Sequence, residues 1–126
     1  MDIVYIRELE VETIIGIYDW EREVLQTISI DLDMAADISR AAKSDDIADA
    51  LNYKAVAKRL IEYVKGSNCL LVERLAEEVA QIVIKEFDVP WVRLRLSKPG
   101  ALRGSRDVGL IIERGSKPKT PGAQSK

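Results

Sequence analysis

Between Thr27 and Met34 apolar and polar residues alternate without a break: Ile28, Ile30, Leu32 and Met34 hold one parity, Thr27, Ser29, Asp31 and Asp33 the other. Successive side chains of a β-strand point to opposite faces, so this segment is a strand with one dry and one wet face. Such a strand belongs in an antiparallel sheet covered on a single side, because a parallel sheet buries both. The rest of the chain must supply further strands beside it and a layer over its apolar face.

The flanking segments supply both. From Ile3 to Ile15, the apolar residues Ile3, Val4, Ile6, Leu9, Val11, Ile14 and Ile15 are interrupted by charges, which predicts a first strand, open to a bulge, that ends at Gly16. The polar stretch Ala41 to Asp46 reads as a connection to a helix. Tyr53, Val56, Ala57, Leu60, Ile61 and Val64 recur at helical spacing, and Gly66 is a stop signal. Ser67 or Asn68 is the expected cap of a second helix, whose stripe runs from Leu71 and Val72 through Leu75, Ala76, Val79, Ile82 and Val83 to Phe87, with Pro90 as terminator. Val92, Leu94 and Leu96 alternate with Arg93, Arg95 and Ser97 in a third strand, and Val108 to Ile112 form a fourth. The order is ββααββ, an α+β class in which a four-stranded antiparallel sheet carries two helices on one face. One domain over residues 1–115 is expected. Residues 116–126, with two prolines, a glycine and three lysines, predict a disordered tail.

Composition narrows the chemistry. The chain has no histidine and one cysteine, so the commonest general base and the commonest zinc ligand are both missing. Reactions must use Asp, Glu, Lys, Tyr or Cys, and a protein zinc site would have to be mostly carboxylate, so a zinc-dependent aldolase or cyclohydrolase is disfavoured. A net charge of -2 gives no field to recruit nucleic acid. No apolar run approaches the length of a membrane span, no signal peptide is visible after Asp2, and a lone cysteine forms no internal disulfide, so a soluble cytoplasmic protein is expected. Cys69 reads as a packing residue. There is no glycine-rich phosphate loop and no internal repeat.

Four segments, taken in order, resemble the dihydroneopterin aldolase family: Ile15-Gly16-Ile17-Tyr18-Asp19-Trp20-Glu21, Leu51-Asn52-Tyr53, Leu71-Val72-Glu73-Arg74-Leu75-Ala76-Glu77 and Leu96-Ser97-Lys98-Pro99-Gly100. The resemblance spans about Met1 to Arg114 and is strongest to enterobacterial-type members. It implies the tunnelling fold, in which ββααββ subunits close a tetrameric ring and two rings stack as a homo-octamer with active sites between subunits. It also implies a cytoplasmic lyase of folate biosynthesis, acting on the small-molecule pterin 7,8-dihydroneopterin with no metal or cofactor. The products are 6-hydroxymethyl-7,8-dihydropterin and glycolaldehyde, and 2′-epimerisation is an expected side activity.

The same resemblance gives the roles. Glu73 falls in the first turn of the second helix, where the helix dipole favours an ionised carboxylate, and a carboxylate can accept two parallel hydrogen bonds from a 2-amino-pyrimidinone edge. Alone it would read as a solvated helix-start glutamate; the resemblance makes it the pterin anchor, with the Val72 backbone beside it. Tyr53, otherwise a half-buried aromatic, is implied to lie on the pterin and move protons, with the Leu51 backbone touching the ring. Lys98, otherwise a strand-end lysine, is the implied catalytic acid and base, its ammonium weakened by Arg93, Arg95 and Arg103 nearby in sequence. Glu21, otherwise a surface charge, is the implied carboxylate for the hydroxylated side chain. A dihydroneopterin triphosphate 2′-epimerase of the same fold is the nearest alternative. A non-catalytic pterin-binding oligomeric module is another, and it would need no Lys98.

Overall fold

The computed structural model describes residues 1–117. Strands β1 (Asp2–Thr13), β2 (Gln26–Ala36), β3 (Trp91–Pro99) and β4 (Asp107–Gly115) form one antiparallel sheet in the order β1-β2-β3-β4. Helices α2 (Tyr53–Lys65) and α3 (Val72–Glu86) cover one face, α2 over β1 and α3 over β3 and β4. The alternation that defines β2 is realised in full, with Ile28, Ile30, Leu32 and Met34 all completely buried beneath the helices. Those helices bury Val56, Leu60 and Val64 of the predicted α2 stripe and Leu75, Ala76, Val79 and Val83 of the predicted α3 stripe, with Ala80 besides, while Tyr53 and Leu71 at the ends of the stripes are exposed.

The bulge in β1 explains its imperfect pattern. Ile6 pairs with Leu32 and Leu9 with Ile30, so β1 spends one residue more than β2 across this step. Glu8 takes a φ of 53°, and its amide donates to Asp31 Oδ1 at 2.7 Å, which satisfies the extra residue. Before the bulge even-numbered Val4 and Ile6 turn toward the core; beyond it odd-numbered Leu9, Val11 and Thr13 do.

Three departures from the sequence reading have local causes. The polar connection after β2 contains a short helix, α1 (Ser39–Ser44), and a 3-10 turn at Ile47–Asp49. Neither buries a residue, so no apolar stripe announced them; they are held instead by polar bonds such as Ser44 Oγ to Asp49 and the Ala48 amide to Asp46. Secondly, neither Ser67 nor Asn68 caps α3, whose N-cap is Leu71 with no side-chain cap. The stretch from Asn68 to Leu70 instead offers its carbonyls to the loop after β1. Thirdly, the segment read as a tail begins in ordered contact: the Ser116 amide donates to Pro90 O at 2.9 Å, and the Lys117 ammonium lies 4.8 Å from the centre of the Trp91 ring. The rest of that expected tail, residues 118–126, lies outside the described residues.

No helix among the described residues is long and apolar enough to cross a membrane. Between α2 and α3 the Tyr63 hydroxyl donates to Glu78 at 3.1 Å. Burial, then this bond to a carboxylate, push the phenol from its ordinary 10.0 up to about 12. The fold therefore disfavours the tyrosinate, and the stability conferred by the neutral phenol is complete below pH 10 and lost as pH rises from there to about 12. A Tyr63→Phe variant should lose the tyrosinate absorbance that develops near pH 12 and show a shallower fall of melting temperature across that window.

Candidate active site

The end of the sheet at which β1 stops and β2 starts carries polar residues on its inner face. Thr13 continues the inward parity of Leu9 and Val11, and its hydroxyl donates to Val64 O at 2.6 Å. Ile15 is fully buried, and the chain then reverses at Gly16, whose φ of 125° is a conformation that glycine alone adopts freely. A 3-10 turn at Asp19–Glu23 follows and swings Glu21 back under Gly16. A Cβ on Gly16 would collide with the Glu21 carboxyl group. Gly16→Ala should therefore displace that carboxylate as well as strain the turn, lowering melting temperature together with activity; an alanine variant of unchanged activity would refute the dependence.

Glu21 is 7% exposed, which overturns its ordinary reading as surface charge. Oε1 accepts the Tyr18 amide at 3.2 Å; Oε2 accepts Lys98 Nζ at 3.1 Å and Gln26 Nε2 at 3.3 Å. Burial alone would raise its pKa, but the Tyr18 amide, Lys98 and Gln26 outweigh that cost and hold the carboxyl below the usual range. Gln26 is itself fixed by donating to Ile15 O at 2.7 Å. Glu21 is thus an anion at neutral pH, clamped on both oxygens.

Lys98 reaches this anion because it keeps the inward parity of Val92, Leu94 and Leu96, its side chain only 16% exposed. The expected cationic surroundings are absent from that face among the described residues. Arg93 and Arg95 have the opposite parity and point to the uncovered side of the sheet, where Arg93 meets Glu113 at 3.7 Å and Arg95 meets Asp31 at 3.6 Å and Asp107 at 3.7 Å. Arg103 is exposed in the turn between β3 and β4. Closeness along a strand is not closeness in space for residues an odd number apart.

Glu73 occupies the first turn of α3, as expected from its spacing, and Leu71 leaves that turn without a side-chain cap. It is exposed, and its carboxylate has no partner among the described residues. The start of α3 is tied to the loop carrying Glu21: the Gly16 amide donates to Leu70 O at 3.1 Å, and Arg22 donates to Cys69 O and Asn68 O. Glu21, Lys98, Val72 and Glu73 therefore belong to one end of the molecule.

Leu51 and Tyr53 belong to the other. Asn52 caps α2 by accepting the Ala55 amide at 3.1 Å, and Tyr53 is its first residue, 55% exposed with no partner for its hydroxyl among the described residues. Leu51 lines a cleft with Met1, Ala35, Phe87 and Val89. The two helices are antiparallel, with Arg59 of α2 paired to Glu86 near the end of α3, so the 13 residues of α2 separate Tyr53 from the Glu73 end by about 20 Å. The structure unites four of the six sequence-identified residues at one end and leaves two outside.

Gln26, Arg22 and the Tyr18 amide were missed by sequence reasoning. Gln26 had a signal, since it carries the inward parity of Ile28 and a polar residue there must bond to something. Arg22 had none. Among the described residues no three Cys, Asp or Glu side chains gather as a metal-ligand set.

Comparison with known proteins decides the family. A family model described as dihydroneopterin aldolase matches residues 4–113. The chain belongs to the dihydroneopterin aldolase family. It is 51% identical to dihydroneopterin aldolase of Escherichia coli (strain K12) over 92% of this chain and 95% of that protein. The crystal structure of the E. coli aldolase in complex with neopterin superposes with a TM-score of 0.89 at 51% identity, covering 91% of this chain and all of the other. A dihydroneopterin triphosphate 2′-epimerase from the same strain is 32% identical over 87% of this chain and 92% of its own length. Identity to the aldolase is thus well above identity to the epimerase, over nearly the full length of each chain.

Proposed function

We propose that the chain cleaves 7,8-dihydroneopterin by a metal-free retro-aldol reaction in which Glu73 anchors the pterin and Lys98 moves the protons. The activity follows from the family at this identity: a lyase of folate synthesis. The residue roles rest on one observation above all, the 3.1 Å pair of Lys98 and Glu21 at the end that also carries Glu73.

The ionised Glu73 carboxylate accepts two hydrogen bonds from the 2-amino-pyrimidinone edge of the pterin, and the Val72 backbone lies alongside. Glu21 has one face of its carboxylate committed to Lys98 and Gln26, and its remaining lone pair receives a side-chain hydroxyl. With the substrate held at both ends, a base removes the proton of the 2′-hydroxyl. The C1′–C2′ bond breaks and glycolaldehyde leaves, while the bonding electrons pass into the ring C=N bond. No enzyme-bound imine is needed, because the dihydropterin ring is its own electron sink. A proton returned to C1′ completes 6-hydroxymethyl-7,8-dihydropterin, so one proton is taken and one given. Lys98 and Tyr53 handle them. Readdition of the aldehyde with the opposite face presented gives the 2′ epimer, and the 32% identical epimerase supports this as a side activity.

The distance of about 20 Å along α2 between Tyr53 and Glu73 supports sites shared between subunits: Leu51 and Tyr53 of one copy complete the Glu21, Lys98 and Glu73 end of the next. Ring closure into a tetramer, stacked as an octamer, is the assembly we propose, in the cytoplasm. The test is to mix the purified protein with 7,8-dihydroneopterin and a chelator and to follow both products by chromatography. Product formation that survives chelation supports the metal-free lyase. Formation of the epimer alone would replace it with the epimerase reading, and binding without turnover with the non-catalytic module.

A further inference from the structure

Arg22 follows Glu21 in sequence but is not paired with it and meets no carboxylate among the described residues. Its guanidinium donates to three main-chain carbonyls instead: Nη1 to Gly16 O at 3.0 Å and to Cys69 O at 3.1 Å, Nη2 to Asn68 O at 3.2 Å. The Gly16 amide answers with its bond to Leu70 O. Gly16 belongs to the segment that carries Glu21, and Asn68 to Leu70 lead directly into Val72 and Glu73. A side chain this polar, half-buried and satisfied by carbonyls is serving geometry and not charge balance. Arginine suits the task, because its planar fork fixes several acceptors at once, whereas an ammonium offers a point charge without direction.

We infer that Arg22 is a positioning residue that sets the distance between the pterin anchor at the start of α3 and the Glu21–Lys98 pair. This rests on the assignment of those residues to the substrate made above. Among the described residues the two groups sit on elements that share no other side-chain bond: Glu21 is held to β2 and β3 through Gln26 and Lys98, while Glu73 rides on α3. Without the guanidinium, only the Gly16 to Leu70 bond joins the two described segments through hydrogen bonding. A ligand that occupies the ring subsite alone is indifferent to the spacing. One that must reach Glu73 and Glu21 together is penalised by any misfit, and a displacement of about 1 Å is enough to cost about a hundredfold in rate.

The experiment compares the full-length wild type with Arg22→Ala and Arg22→Lys. Dissociation constants are measured for unsubstituted pterin, which has only the ring, and for neopterin, which has ring and side chain; kcat on 7,8-dihydroneopterin and melting temperature are recorded alongside. In Arg22→Ala, pterin affinity is expected to stay within about twofold of wild type, while the advantage of neopterin over pterin falls about tenfold and kcat about a hundredfold. Arg22→Lys, which can still reach one or two carbonyls, should lie between. If the neopterin-to-pterin ratio is unchanged in the variants, whether both affinities fall together or neither moves, Arg22 is only a stabilising residue and the inference is overturned. Should Arg22→Ala not fold, the same ratio in Arg22→Lys decides. If the wild type binds neither compound, it is the site assignment that fails, and not the coupling.

Discussion

Replacing Lys98 with alanine should lower kcat by about a thousandfold, the middle of the range for loss of a positioned acid–base group, while leaving pterin affinity nearly untouched. The separation follows from where the groups sit: Glu73, the proposed ring anchor, is on α3, and Lys98 is on β3. A variant that lost affinity and kcat in parallel would mean that Lys98 binds the ring and does not act on the side chain. The same substitution has a cost in stability. It strips the buried Glu21 carboxylate of its cation, leaving the Tyr18 amide and Gln26 as its partners, and a buried charge without its counter-ion is strongly unfavourable. One of the influences that lower the Glu21 pKa disappears, so that pKa rises in the variant. Wild-type stability from this carboxylate is present above the unfolded carboxyl pKa and lost as pH falls through the depressed folded value; in Lys98→Ala that contribution is smaller, because the folded pKa moves up toward the unfolded one. Adding Glu21→Gln to Lys98→Ala removes the stranded charge, so the double variant should regain melting temperature without regaining activity. Recovery of activity in the double variant would instead show that Glu21 had been inhibiting and that Lys98 was dispensable.

Much of the architecture was readable because each long element has an apolar pattern with a single geometric meaning. Period two in β2 and β3 and the helical stripes of α2 and α3 left little choice of sheet type, layer order or helix side. What escaped were elements without such a pattern. Helix α1 and the two 3-10 turns bury almost nothing except Glu21, and they are assembled from local polar bonds that periodicity does not encode. The cap of α3 was misplaced for a related reason: Ser67 and Asn68 have the right side chains, but the carbonyls from Asn68 to Leu70 are already committed to Arg22 and Gly16.

At the site, parity was the signal that could have been pressed further. Thr13, Gln26 and Lys98 are all polar residues at inward positions of strands that are otherwise apolar inside, and all lie at one end of the sheet. A polar inward residue must find partners, so three of them together mark a polar pocket from the sequence alone. The same parity argument excludes Arg93 and Arg95 from the Lys98 environment, which proximity in sequence had suggested. Glu21 was beyond such reasoning, because a loop has no period; its burial depends on Gly16 yielding space and on a lysine 77 residues away. Nor can the pattern of a single chain bring Tyr53 to Glu73.

That last separation gives the second large effect. Lys98→Ala and Tyr53→Phe proteins, each prepared alone, should both be close to inactive, yet oligomers formed from the two chains together should regain activity. If each site takes Tyr53 from one subunit and Lys98 from its neighbour, random assembly of equal amounts leaves about one site in four with both native groups. Co-expression with two different affinity tags, followed by sequential purification, isolates the mixed species, and their kcat per site should approach about a quarter of the wild-type value. A gain this large from two damaged chains has no explanation within a subunit, because α2 alone holds the two ends about 20 Å apart and a rigid helix does not fold back on itself. Mixed oligomers no more active than the average of their parents would place each site within one chain, and would require Tyr53 to have no part in proton transfer. Because the gain counts sites and not contacts, it reads out the assembly through its chemistry and does not depend on the ring having any particular number of subunits.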